Sequence, residues 1–213
     1  MTDTNWAEAV QPLIEKYRGK SHPLKYKNTY QLMVMVILSA QSSDALINNI
    51  APAFFEKFPD LKSLSTALPE DLQPYLIKVI NFSNKSKWIV EIAKKVKDNK
   101  NIPLTMDELV ALPGIGRKSA NVIMREAKVK AEGVMVDLHV IRVANRLGIT
   151  ESKDPKKIEK DIMEKVQEKD WGEVGMAISH LGREICRPSY PKHAECVMNK
   201  VCAYYAEEKG KKS

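Results

Sequence analysis

The chain has 213 residues, a hydrophobic fraction of 44% that can fill a buried core, and a net charge of +7. Charged residues of both signs make up 29%, which excludes wholesale disorder, and no run approaches the ~18 consecutive apolar residues of a membrane-spanning helix. The N-terminal MTDTNWAEAVQPLIEKY has no basic segment followed by an apolar one, so no secretory signal is read there and a cytoplasmic, intracellular protein is expected. The length allows one large domain or two small interlocked ones. The positive charge suits a polyanionic partner without requiring one.

In chain order, Tyr30–Ala40 (YQLMVMVILSA) is apolar nearly all round and predicts a buried central helix. Ser43 or Asp44 caps a second helix over 45–58, and shorter helices are expected over 61–67 and 70–78. Residues 84–100 place Trp88, Ile89, Ile92, Ala93 and Val96 on one helical face, with lysines on the other. Thr105 and Glu108 have the spacing of a capping box ahead of Leu109–Leu112. After a PGIG turn, 117–128 is helical. Asp137 reads as the N-cap of 138–147 and Gly148 as its stop. Asp154-Pro155 opens a helix to about 168, residues 172–185 form another, and the basic KGKK tail is expected to fray. No segment alternates as a strand, so the fold class is all-α.

The sharpest signal is LPGIGRKSAN, residues 112–121. Pro113 ends one helix, and Gly114 and Gly116 permit backbone geometry closed to other residues. The next helix starts at once, so the N–H groups of Gly114, Ile115, Gly116 and Arg117 can face an anion, above all a phosphate. Lys118 lies in the first turn of that helix, where the dipole and Arg117 favour the neutral amine that a nucleophile requires. Asp137 follows nineteen residues later in VDLH (136–139). Taken singly, the lysine reads as a phosphate contact and the aspartate as a helix cap. Together with the hairpin they form a candidate active site.

These residues carry a family resemblance. LPGIGRKSANVIM (112–124) and VDLHVIRVANRLG (136–148), supported by LSAQSSD (38–44), INFSNK (80–85) and the C-terminal cysteines, resemble the endonuclease III branch of the helix–hairpin–helix DNA glycosylases. The resemblance implies a six-helix bundle over 23–132 carrying the hairpin. A second helical domain, from 1–22 plus 133–213, would carry a metal-cluster loop at 186–202, with DNA and the active site in the cleft between the two. It places the Schiff-base nucleophile at Lys118 and the catalytic carboxylate at Asp137. Gln41 would fill the gap left by a flipped nucleotide, Phe82 would wedge into the opposite strand, and His139 would support helix or phosphate contacts.

The implied activity is that of a bifunctional glycosylase and abasic-site lyase on double-stranded DNA, acting as a monomer in the nucleoid on oxidised pyrimidines. A monofunctional glycosylase of different lesion range and a non-catalytic DNA-binding protein are the alternatives. Val110 stands where relatives often carry an acidic residue, and Asn81 where they carry glycine just before the wedge; both bear on lesion range.

Three cysteines, an odd number confined to 186–202, do not suit a disulfide framework and point to metal. The family's iron–sulfur loop has Cys-x6-Cys-x2-Cys-x5-Cys. Here the spacing is Cys186-x6-His193-x2-Cys196-x5-Cys202, with histidine second. The expectation is a [4Fe–4S] cluster with His193 as fourth ligand. A Cys3His zinc site and a loop without metal are the alternatives.

Overall fold

A helix apolar nearly all round has to be enclosed, and the computed structural model, which describes residues 4–211, encloses it. In chain order the helices are α1 (Trp6–Ala9), α2 (Gln11–Tyr17), α3 (Thr29–Ser39), α4 (Asp44–Lys57), α5 (Leu61–Ser65), α6 (Pro69–Leu76) and α7 (Phe82–Val96). They continue as α8 (Met106–Val110), α9 (Arg117–Glu126), α10 (Leu138–Leu147), α11 (Pro155–Lys165), α12 (Trp171–Glu184) and α13 (Ala203–Gly210). Short 3-10 turns lie at Asn99–Asn101, Glu168–Asp170 and His193–Glu195. No strand occurs among the described residues, as an all-α sequence requires. No described helix is long and apolar enough to cross a membrane.

The chain divides into two compact units, one of residues 21–129 and one formed by the segments up to 20 and from 130 onward. Met1–Asp3 and the last two residues, including the end of the KGKK tail, lie outside the described residues. Within 21–129, every residue of α3 from Leu32 to Leu38 is buried, each such side chain adding about 1.5–3 kcal/mol. The helix packs against α4, α7 and α9, while α5 and α6 pack on α7. The second unit is built around α12, which packs on α2 and α10, with α13 against α10.

Local chemistry settles several boundaries differently from the periodicity. Ser43 is the cap of α4, its Oγ accepting from Leu46 N at 3.2 Å. Thr105 makes no capping box: its hydroxyl donates to the Glu108 carboxylate at 2.6 Å instead of accepting from the backbone. Helix α7 starts at Phe82, not Asn84, because left-handed Asn81 (φ 58°) turns the chain into it. It stops at Val96, because Lys97 is left-handed too (φ 67°). Lys209 and Gly210 do not fray but close α13.

Candidate active site

The hairpin runs from the end of α8 through Leu112, Pro113, Gly114, Ile115 and Gly116 into α9. Leu112 and Ile115 are buried and anchor it, and Ile115 N donates to Leu112 O at 3.2 Å. Gly114 has φ +79°, and a Cβ there would lie 2.6 Å from Cε3 of Trp88. Only glycine fits that point. Gly116 differs from expectation: at φ −97°, ψ 174° its backbone is open to any residue, and a Cβ would meet nothing within 4 Å. What Gly116 contributes is empty space beside the start of α9, which has no side-chain cap. Arg117 and Lys118 are the first two residues of that helix, and both are exposed. Half-buried His22 lies within electrostatic reach of Lys118. Burial holds its imidazole down to about 4, against the opposing pull of Glu126 and Asp44, and its Nδ1 accepts from Leu24 N at 3.1 Å.

Gln41 follows the end of α3 in a left-handed conformation (φ 61°) and is exposed. Asn81, also exposed and left-handed, stands where the resemblance expects glycine; after glycine, asparagine is among the residues that tolerate this region best. The two segments touch, with Ile80 N donating to Ser42 Oγ at 3.3 Å. Phe82 is not in a loop: it is the first residue of α7, half-buried, and its carbonyl accepts from Ser86 Oγ at 2.9 Å. The apolar side chains that project here are Ile77 and Ile80, 68% and 53% exposed.

In the other unit, Asp137 caps α10. Its Oδ1 accepts from His139 N at 2.9 Å and Val140 N at 2.8 Å, and its Oδ2 from Ser179 Oγ at 2.7 Å. Arg183 Nη2 stands 3.8 Å from the same Oδ2. Ser179 and Arg183 are one turn apart on α12, so a single helix face fixes the free side of the carboxylate. His139 is half-buried, with Nδ1 3.3 Å from Arg142 Nη2.

Cys186, His193, Cys196 and Cys202 line one pocket, together with Arg146 and Tyr204. All three cysteines are free of disulfides. Burial pushes the Cys196 and Cys202 thiols up, and Cys186 lies close enough to raise both further. Arg146 Nη1 is 3.5 Å from Cys186 Sγ and donates to Arg187 O at 2.7 Å, and its Nη2 donates to Pro188 O at 2.9 Å. The His193 ring stacks on Tyr205 with centroids 4.5 Å apart, and its Nε2 is 2.8 Å from Glu208 Oε2. In kind and location, three thiols and an imidazole fit an iron–sulfur or zinc group. As they stand they do not close on one point: among the described residues no group of three or more His, Cys, Asp or Glu side chains is arranged to hold a metal ion.

Residues 34–168, more than half of the chain, match the model of the HhH-GPD superfamily base excision DNA repair protein. Endonuclease III of Synechocystis sp. is 35% identical over 197 residues, covering 92% of this chain and 90% of that protein. The chain belongs to the endonuclease III branch of the HhH-GPD superfamily. Endonuclease III of Bacillus subtilis is 36% identical over 182 residues, covering 84% of this chain and 83% of its own. Among solved structures, a trapped endonuclease III–DNA covalent intermediate superposes with a TM-score of 0.83 at 27% identity, over 94% of this chain and 95% of that one. A non-covalent endonuclease III–DNA complex gives 0.82 at 28% identity, with coverage of 94% and 95%.

The structure brings in four residues to which motif reading gave no role: Lys85, the last residue of the INFSNK segment, and Ser179, Arg183 and Glu208. Lys85 alone left a trace in the sequence. It lies four, seven and eleven residues before Ile89, Ile92 and Val96, on the buried stripe of α7. The other three gain meaning only from partners fifteen or more positions away.

Proposed function

We propose that this member of the endonuclease III branch is a bifunctional DNA glycosylase and abasic-site lyase. Its substrate is double-stranded DNA, in the nucleoid, that holds an oxidised pyrimidine or an abasic site, and it works as a monomer. The observation that carries the reading is an exposed lysine in the first turn of a helix whose N-terminus, beside Gly116, is left open for a phosphate. The likeness to a covalently trapped endonuclease III–DNA intermediate supports it.

The target nucleotide has to leave the stack, at a cost of a few kcal/mol. Gln41 offsets part of this by occupying the vacated space, and an apolar side chain wedges the opposite strand. Phe82 is the expected wedge, and the greater projection of Ile80 supports that neighbour for the same task. The hairpin N–H groups and Arg117 hold the adjacent backbone, and His139 supports helix or phosphate contacts.

Neutral Lys118 Nζ then attacks C1′ of the sugar. The C1′–N bond to the base breaks, and the base leaves with the bond's electrons and takes up a proton. Asp137, its carboxylate oriented by three hydrogen bonds, stabilises the positive charge that develops on the sugar. Nζ gives up a proton and the ring C1′–O4′ bond opens, with O4′ taking the bond's electrons and a proton. The resulting iminium between Lys118 and C1′ acidifies the C2′ hydrogen. Loss of that proton expels the 3′ phosphate, and the strand is cut.

Cys186, Cys196, Cys202 and His193 would hold the metal group, and a [4Fe–4S] cluster is the reading that the family spacing supports. Such a group supplies electron-transfer capacity and a structural anchor for the loop. The excision steps are carried by Lys118 and Asp137.

Borohydride reduction with abasic duplex tests the mechanism. The expected result is a covalent protein–DNA adduct that Lys118→Ala abolishes and Asp137→Asn forms more slowly. Adduct formation by Lys118→Ala would refute the assignment.

A further inference from the structure

The last turn of a helix leaves four carbonyls to be satisfied, and at the end of α3 the solution is unusual. Ser39 Oγ donates to Val36 O at 2.9 Å, Ala40 N to Ile37 O at 3.4 Å, and Ser42 N to Ser39 O at 3.0 Å. The remaining carbonyl, Leu38 O, accepts from Lys85 Nζ at 2.8 Å, and the same ammonium donates to Ala40 O at 2.6 Å. Lys85 is 2% exposed. A buried cation carries a heavy desolvation cost, and burial lowers its proton affinity. Glycine at 41 would hold the same left-handed turn without strain. The chain instead keeps glutamine in a left-handed conformation and buries a lysine to support it. Both costs fall on one residue's surroundings, those of Gln41.

The support extends to the neighbouring segment. Lys85 belongs to α7, whose entry turn holds left-handed Asn81, and Asn84 Nδ2 donates to Asn81 Oδ1 at 2.9 Å. Ile80 N reaches Ser42 Oγ. Three hydrogen bonds, two from Lys85 and one between Ile80 and Ser42, therefore join the Gln41 turn to the Ile80–Asn81 turn.

We propose that Lys85 is a positioning residue for nucleotide extrusion. Its ammonium, clamped on the Leu38 and Ala40 carbonyls, sets the Gln41 turn and locks it to the Ile80–Asn81 turn, so the two meet the duplex as one rigid probe. This rests on the reading of Gln41 as the residue that enters the vacated stack. Extrusion is needed only where the target lies in a duplex, so loss of the clamp slows reaction on duplex and spares the same strand when single.

The test compares single-turnover cleavage of an abasic site in a duplex and in the isolated strand, for full-length wild type, Lys85→Met, Ser42→Ala and Gln41→Ala. Lys85→Met is expected to lose on the order of 10- to 100-fold on duplex, as misplaced groups do, and to stay within about twofold on the single strand. Ser42→Ala, a partly exposed site whose change spares the core, is expected to lose several-fold on duplex alone. It decides the matter if Lys85→Met does not fold. Parallel losses on both substrates, or unchanged duplex rates in the folded variants, would overturn the proposal. If Gln41→Ala itself leaves the duplex-to-single-strand ratio unchanged, the reading of Gln41 fails. If Gln41→Ala lowers the ratio and neither clamp variant does, only the role of Lys85 fails.

Discussion

Replacing Gly114 by alanine adds one methyl group at the tightest point of the hairpin. The new carbon would sit 2.6 Å from the edge of the Trp88 ring, well inside contact distance, on a backbone at φ +79°. The left-handed conformation costs a residue with a Cβ about 1–2 kcal/mol. Displacing the indole adds an overpacking cost of about 1–3 kcal/mol. Together they predict a loss of roughly 2–5 kcal/mol, or about 4–20 °C in melting temperature for a chain of this size. Gly116→Ala is the paired control, since its Cβ meets nothing and its backbone is unstrained. It should leave the melting temperature nearly unchanged and yet weaken binding to abasic duplex, because the methyl occupies the space reserved for the phosphate. Thermal melting of both variants, alongside a DNA titration at fixed salt, separates the effects. A Gly114→Ala protein that melts like wild type, or a Gly116→Ala protein that binds DNA normally, would refute the reasoning.

Ile80→Ala should reduce excision from duplex more than Phe82→Ala does, while Phe82→Ala should cost more stability. The reverse pattern in rates restores Phe82 as the wedge. His22 gives a pH prediction. With about 4 in the fold against 6.5 unfolded, its neutral form is the folded one, so its contribution is complete above pH 6.5 and is lost as pH falls from there toward 4. The ceiling is about 3 kcal/mol at 1.36 kcal/mol per unit, reduced by solvent screening at a half-buried ring. Denaturant titrations across that window should show wild type losing stability relative to His22→Gln as pH drops; parallel curves would exclude His22. For the cysteine loop, iron and sulfide analysis with visible absorbance near 400 nm should find a cluster in wild type, retained in His193→Cys with a lower reduction potential. A colourless wild-type protein containing zinc, or no metal, would count against it.

What could be read in advance followed from chemistry local to the sequence. α3 declared itself because it is apolar nearly all round from Leu32 to Leu38, and the hairpin because Pro113 and Gly114 leave the backbone few choices. Asp137 was legible as a cap because a carboxylate before an apolar helix satisfies free N–H groups. The distant partners were not legible. Ser179 lies 42 positions from Asp137, and its hydroxyl is one of many on the chain until α12 packs against α10. Lys85 was hidden differently. Lysines on α7 read as a solvated face, and only the carbonyl ends of another helix make a buried one affordable. Helix ends failed where the chain uses left-handed residues other than glycine, since Asn81 and Lys97 carry no stop signal of their own.

Those left-handed residues set a relation between thermal endurance and charge. Lys97 and Lys128 stand at φ 67° and 57°, at the stop of α7 and just beyond α9, positions where glycine would rest without strain. Glycine at each would recover roughly 1 kcal/mol of backbone strain. It would also remove two of the 34 basic residues and lower the net charge from +7 to +5. Part of the electric field that draws this protein toward a polyanion is therefore maintained by a strained backbone. A heat-hardened version made by glycine substitution at these stops would search DNA more slowly in proportion to the charge it gave up.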